Sequence, residues 1–329
     1  MPNWQNALLS RLGKPRPPQQ SPIEDLRHRY EAITDRFGEA PRDMSVEHAH
    51  LGQLRGEWVR VEEAQPHRLL LYLHGGGYIS GSPEIYRPLV ARLCKAASST
   101  ALSLDYRLGP EFPFPAALRD AVDAYRFLIN NVVPAKSLAV AGDGAGGGLA
   151  FATLMAVRNA GLPMPAACIA MSPWADLALS GWSIMNNASE DSLLAWDLLF
   201  MSARHYLKGA NPGDPYASPA LGNLRDFPPI MVHAGSREVL RDDAGRLGEL
   251  AAAANVPVSV EVYDGQGHLF QASPFTSEAR VSLARFGQFI RSRTPDLGQK
   301  PEEKSAAKKA PKISKTESRT EGKPFKRSG

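Results

Sequence analysis

The chain has 329 residues, 43% of them hydrophobic, two cysteines and a formal net charge of +4. That is enough apolar material for one large domain or two average ones, and the distant Cys94 and Cys168 exclude a disulfide framework. The charge is uneven: residues 300–329 hold ten Lys/Arg against four Asp/Glu, and the other 28 basic and 30 acidic residues nearly cancel, which excludes a basic, nucleic-acid-binding body.

In chain order, residues 3–12 read as a short amphipathic helix with Trp4, Leu8 and Leu12 on one face, followed by a Pro-rich break and a second helix over about 23–37. Apolar runs of strand length follow at 58–61, 69–73, 100–104, 137–141, 167–171, 230–234 and 258–263. Helical stretches at 116–130, 148–159 and 242–254 separate the later ones, and a last helix covers 277–291. Continuous apolar strands alternating with helices predict a mainly parallel sheet covered on both faces, an α/β fold. Residues 179–219 interrupt the alternation and carry Trp182, Trp196, Phe200 and Tyr206. The expected organisation is therefore cap helices over 1–45, an α/β domain over 46–293 with a second cap piece at 179–219, and a disordered basic tail over 294–329. The first twenty residues lack an apolar h-region and an A-x-A site, so no secretory leader is expected. No apolar run is long enough for a membrane span, and the cysteine usage fits a reducing, cytoplasmic setting.

Three motifs carry chemistry. His74-Gly75-Gly76-Gly77-Tyr78 directly follows a predicted strand, where consecutive glycines let backbone N–H groups approach a substrate oxygen. Gly142-Asp143-Gly144-Ala145-Gly146 sits between a strand and a helix, the setting of the G-x-S-x-G nucleophile elbow of α/β-hydrolases, and has glycine where that motif has serine. Downstream, Glu238 and then His268 each follow a strand, in the hydrolase order of elbow, acid and histidine. Asp242 is a rival for the acid. Each motif lies at the C-terminal end of a strand, where open parallel sheets bind ligands.

The motifs HGGGY, DYRLGPEFPFPAAL, GDGAGG and GQGH, with Ser172-Pro173-Trp174, make the chain resemble the hormone-sensitive-lipase-like family of α/β-hydrolases over residues 68–290. The resemblance implies an oxyanion hole from the N–H groups of Gly76, Gly77 and Ala145, with His268 as base and Glu238 as its orienting acid. It implies that Gly144 occupies the nucleophile position, so that no acyl-enzyme can form there. Asp143, Ser172 and Ser236 are not expected to substitute. No cofactor and no metal are expected, since the eight histidines show no ligand spacing.

The expected function is a carboxylic-ester hydrolase scaffold for short or medium acyl esters that hydrolyses weakly or not at all, with a small ester or apolar molecule as its partner. Two alternatives stay open: a non-hydrolytic binding or sensor protein, and a general-base enzyme using His268 and Glu238 without a covalent intermediate. A dinucleotide site is rejected. Gly142, Gly144 and Gly147 satisfy G-x-G-x-x-G, but no acidic residue occurs from 149 to 175.

Overall fold

The all-buried segments Leu69–Leu73 and Ala167–Met171 form strands because neither face of either one meets water. They belong to an eight-stranded sheet in the computed structural model, which describes residues 22–294; the helix expected over 3–12 and the tail beyond Thr294 lie outside those residues. In chain order the strands are β1 Ser45–Leu51, β2 Leu54–Arg60, β3 Leu69–Leu73, β4 Thr100–Asp105, β5 Leu138–Asp143, β6 Ala167–Met171, β7 Ile230–Gly235 and β8 Val258–Tyr263. Their order across the sheet is β1-β2-β4-β3-β5-β6-β7-β8. The β1–β2 and β2–β4 pairs are antiparallel and the rest are parallel.

The helices are α1 Ile23–Thr34, α2 Pro83–Ala97, α3 Ala116–Asn131, α4 Gly144–Asn159, α5 Ser183–Asn186, α6 Trp196–Leu207, α7 Arg241–Ala253 and α8 Ser277–Arg293. The pleat of β3 shows how they cover the sheet. Leu69, Leu71 and Leu73 join one apolar cluster with residues of α1, α3, α4, α6 and α7. Leu70 and Tyr72 join the other, with residues of α2 and α8. Helix α4 is buried almost all round, which explains its weakly sided, uniformly apolar sequence.

Several elements differ from the sequence reading, among them α2, which was not singled out. The first strand, β1, was not anticipated. It is an edge strand with the sequence SVEHAHL, of which only Ala49 and Leu51 are buried, and it is held by its antiparallel partner instead of by a hydrophobic run. Helix α4 starts at Gly144, not Gly148, because the turn after β5 has no spare residues: Asp143 ends the strand and Gly144 opens the helix. Thr294, read as the start of the tail, is buried, and its hydroxyl accepts a hydrogen bond from Arg68 Nε at 2.8 Å. Both cysteines are buried and unpaired.

Candidate active site

The three glycines of the β5–α4 turn answer to different constraints. A Cβ on Gly142 would run into the carbonyl of Gly146, and a Cβ on Gly146 into the carbonyls of Leu73 and His74. These two positions need glycine because the start of α4 lies directly on the end of β3. Gly144 is different. A Cβ there would meet nothing closer than His268 Nε2 at 3.6 Å, an ordinary contact distance, with Gly75 Cα next beyond the ring at 3.9 Å. What favours glycine at 144 is the backbone, since its φ of +48° is a left-handed conformation. Neighbouring non-glycine residues adopt the same region, including Tyr78, Ser172 and Leu269, so it is strained but not forbidden.

The His74–Tyr78 loop lies beside this turn. Tyr106 donates from its hydroxyl to the His74 carbonyl at 2.7 Å, and the two rings stack with centroids 4.3 Å apart. Burial holds the His74 imidazole neutral, with its pKa pushed down to about 4. Asp143 is turned back toward the loop, where it accepts from Gly75 N at 3.0 Å and from Tyr72 Oη at 2.7 Å. Burial raises its pKa to about 7, against the opposing hydrogen bond from Tyr72 and the nearby His268. The loop carbonyl of Gly76 accepts from Ile79 and Ser80, turning the chain sharply. The N–H groups of Gly76, Gly77 and Ala145 make no hydrogen bond among the described residues, and all three residues line the same small cavity as Gly144 and His268.

Glu238 and His268 come together from the loops after β7 and β8. Glu238 is fully buried; Oε1 accepts from Gly235 N at 2.7 Å, and Oε2 lies 2.9 Å from His268 Nδ1. Burial raises the Glu238 pKa, opposed first by the hydrogen bond to His268 and also by Ser172 and Gly235. A carboxylate can only accept, so Nδ1 carries the ring proton and Nε2 presents its lone pair to the cavity. Asp242 is not part of this pair. It accepts from Ser183 N at 2.9 Å and fastens the 179–219 segment to the start of α7.

Sequence reasoning missed several residues that shape the site. Ser172 links the two loops: its Oγ accepts from Leu269 N at 3.0 Å, and it helps hold the Glu238 pKa down against burial. Arg36 donates to the carbonyls of His268 and Leu269, tying the histidine loop to the chain after α1. Tyr30 and Ile33 of α1 and Leu199 of α6 wall the cavity. Their spacing marks amphipathic helices, but nothing in the sequence says what those faces cover. Of the aromatics in the 179–219 segment and the glycine loop, Trp182 is 56% exposed and Trp196 stacks on Phe200 at the surface, while Tyr78 stacks on Tyr206 in the core. Trp4 lies outside the described residues.

A parallel-centred sheet whose strand ends gather a glycine loop, a strand–turn–helix elbow and a buried Glu–His pair defines an α/β-hydrolase. A family model described as alpha/beta hydrolase fold matches residues 70–272, and the chain belongs to that family. It is 42% identical to an acetyl-hydrolase of Streptomyces hygroscopicus over 276 residues, covering 83% of this chain and 91% of that one. It is 34% identical to an esterase of Acinetobacter venetianus over 244 residues, 74% of this chain and 80% of the relative. Among solved structures, a crystal of EstE5 soaked by p-nitrophenyl butyrate superposes with a TM-score of 0.79 at 38% identity, covering 88% of this chain and 97% of that one. An esterase from the bacterial hormone-sensitive lipase family superposes at 0.80 with 36% identity, covering 88% and 96%. The resemblance drawn from the motifs thus holds. Among the described residues, no helix is long and apolar enough to cross a membrane.

Proposed function

We propose that this chain binds short-acyl carboxylic esters and hydrolyses them slowly by a water route, because Gly144 stands where its family carries the attacking serine. The observation that carries this reading is the Glu238–His268 pair, whose Nε2 faces the space beside Gly144 at 3.6 Å from the Cβ position. In the reading, the N–H groups of Gly76, Gly77 and Ala145 receive the carbonyl oxygen as charge develops on it. His268 takes a proton from a water that attacks the carbonyl carbon, then returns it to the leaving alcohol. Losing the nucleophile of a comparable triad costs about 10⁶-fold in kcat, and oxyanion hole and binding still leave roughly 10³–10⁴ over water.

Two features support a short acyl group. The cavity at Gly144 is small, about 20 Å³, and walled by Tyr30, Ile33, Leu199 and Trp174, which leaves no room for a long acyl chain. The relative in Streptomyces hygroscopicus is named an acetyl-hydrolase. In this reading α1 and the 179–219 segment serve as the two pieces of a cap. Two buried, unpaired cysteines suit a reducing compartment such as the cytoplasm. A purely binding site on the same fold has no use for a buried acid behind a histidine, which favours chemistry over sensing.

The test is p-nitrophenyl acetate hydrolysis by the chain, by Gly144→Ser and by His268→Asn, side by side. Turnover by the serine variant, with slow turnover by the chain that His268→Asn abolishes, is the expected pattern. Inactivity of the serine variant overturns the reading.

A further inference from the structure

The two loops that carry Glu238 and His268 are each held at the backbone from outside the sheet. Glu238 lies in the connection from β7 to α7, which the 179–219 segment grips. Asn187 Nδ2 donates to the Ser236 carbonyl at 3.0 Å and to the Glu238 carbonyl at 2.8 Å. One turn on, Asp191 Oδ2 accepts from Val239 N at 2.9 Å. The other oxygen, Oδ1, accepts from Leu193 N and Leu194 N, both at 3.0 Å. Both Asn187 and Asp191 are buried. His268 is gripped from the chain after α1, where Arg36 donates to the His268 carbonyl at 3.3 Å and to the Leu269 carbonyl at 3.2 Å. Burial lowers the Arg36 pKa, opposed by the charge of Asp191. The guanidinium that holds the histidine loop thus faces the carboxylate that holds the glutamate loop.

We propose that Asn187, Asp191 and Arg36 are positioning residues that set Glu238 and His268 against each other from the 179–219 segment and the chain after α1. The effect on turnover rests on the ester-site reading above; the effect on the pair itself does not. A hydrogen bond between two separate loops is only as constant as the loops, and a misplacement of about 1 Å can cost on the order of 10²-fold in rate. The supports also border the cavity. Ile33, three residues before Arg36, lines it, and so does Leu194, whose N–H is bound to Asp191. A molecule that displaces those walls therefore displaces what holds the pair. An asparagine at 191 would have one accepting oxygen, able to serve Val239 N or the Leu193 and Leu194 N–H groups and not both. It would also carry no charge to face Arg36.

The experiment labels the histidine rings of the whole chain with ¹⁵N and reads them by NMR at alkaline pH, where an imidazole is neutral. The His268 signals are those lost in His268→Asn. Their separation reports which ring nitrogen holds the proton. In the unaltered chain the proton is expected on Nδ1. In Asp191→Asn and in Arg36→Met the two nitrogen shifts are expected to move toward each other as the second tautomer appears, with Arg36→Lys, which keeps the charge, lying between. Arg36→Met leaves Asp191 and its N–H partners in place and decides the matter should Asp191→Asn not fold. In the Gly144→Ser background the same two changes are expected to lower kcat on p-nitrophenyl acetate by on the order of 10²-fold with KM little changed. Ring nitrogens that stay where they are in both variants overturn the proposal, whatever kcat does. So does an unchanged kcat in an active serine background. If Gly144→Ser is itself inert, the ester-site reading falls and the ring shifts alone decide the proposal.

Discussion

His268 Nε2 lies 3.6 Å from the point where a Cβ on Gly144 would sit. A hydroxyl one bond further out would fall within hydrogen-bonding range of that nitrogen. In the proposed reading, the Glu238–His268 pair stands ready for a serine at position 144.

Gly144→Ser is expected to raise kcat on p-nitrophenyl acetate by on the order of 10³-fold or more, reversing most of the cost of a missing nucleophile. The same change places a side chain at φ +48°, so stability should fall by about 1 to 3 kcal/mol. Initial rates and calorimetric melting on the same preparation check both signs. A serine variant as slow as the parent would show that the site has lost more than its hydroxyl.

In the Gly144→Ser background, Glu238→Gln should lower kcat by roughly 10²- to 10⁴-fold, because the amide can no longer hold the Nδ1–H tautomer of His268. Asp242→Asn should change kcat by no more than about threefold, since Asp242 is engaged with Ser183. Equal losses in the two variants would mean that Glu238 is not the orienting acid.

Gly142→Ala and Gly146→Ala should destabilise the chain by about 3 kcal/mol or prevent folding, because each new Cβ meets backbone carbonyls that cannot move. Gly144→Ala should add only the left-handed strain, a loss of about 1 to 3 kcal/mol of stability. Denaturant unfolding of the three variants gives the order directly, and a Gly146→Ala chain as stable as Gly144→Ala would refute the packing argument.

Asp243 gives a pH dependence with a defined sign. It is buried, accepts from Ala175 N and Asp176 N, and has its pKa raised to about 8, first by burial and then by the neighbouring Asp176. An unfolded aspartate releases its proton near pH 4. Between about 4 and 8 the folded chain therefore binds a proton that the unfolded chain does not. This group's contribution is full below the unfolded value and is lost as pH rises through the folded one. Against Asp243→Asn, the parent's relative melting temperature should fall steadily from acid to pH 8 and then level. A flat difference would place the Asp243 pKa near its ordinary value.

The most legible elements in the sequence are apolar runs bounded by turns. β3 and β6, buried throughout, run over residues 69–73 and 167–171, the same bounds as their apolar runs, and β8 keeps the bounds 258–263 of its alternating run although its residues are only partly buried or exposed. β1 escaped notice because an edge strand exposed on one side needs few apolar residues. Helix α2 was not singled out either, and Pro88 within it breaks the usual helical pattern. At the site, the order of the elbow, Glu238 and His268 could be read from motif placement alone. Ser172 could be read only as part of the Ser172-Pro173-Trp174 motif, without its contact to the histidine loop, and Arg36 not at all, because neither carries a local signal of the backbone groups it will meet.

The sequence by itself determined the α/β class, the strand ends at which the motifs sit and the absence of a hydroxyl at position 144, since these follow from hydrophobic period and residue identity. Only the tertiary structure decided between Glu238 and Asp242 as the partner of His268, because the two lie four residues apart at the β7–α7 connection and the choice depends on which carboxylate stands within 2.9 Å of the ring carried by the loop after β8. It also decided why glycine stands at three places in one turn. A Cβ at Gly142 or Gly146 would run into backbone carbonyls, whereas one at Gly144 would make an ordinary contact with His268, a distinction of distance that no string of residues contains.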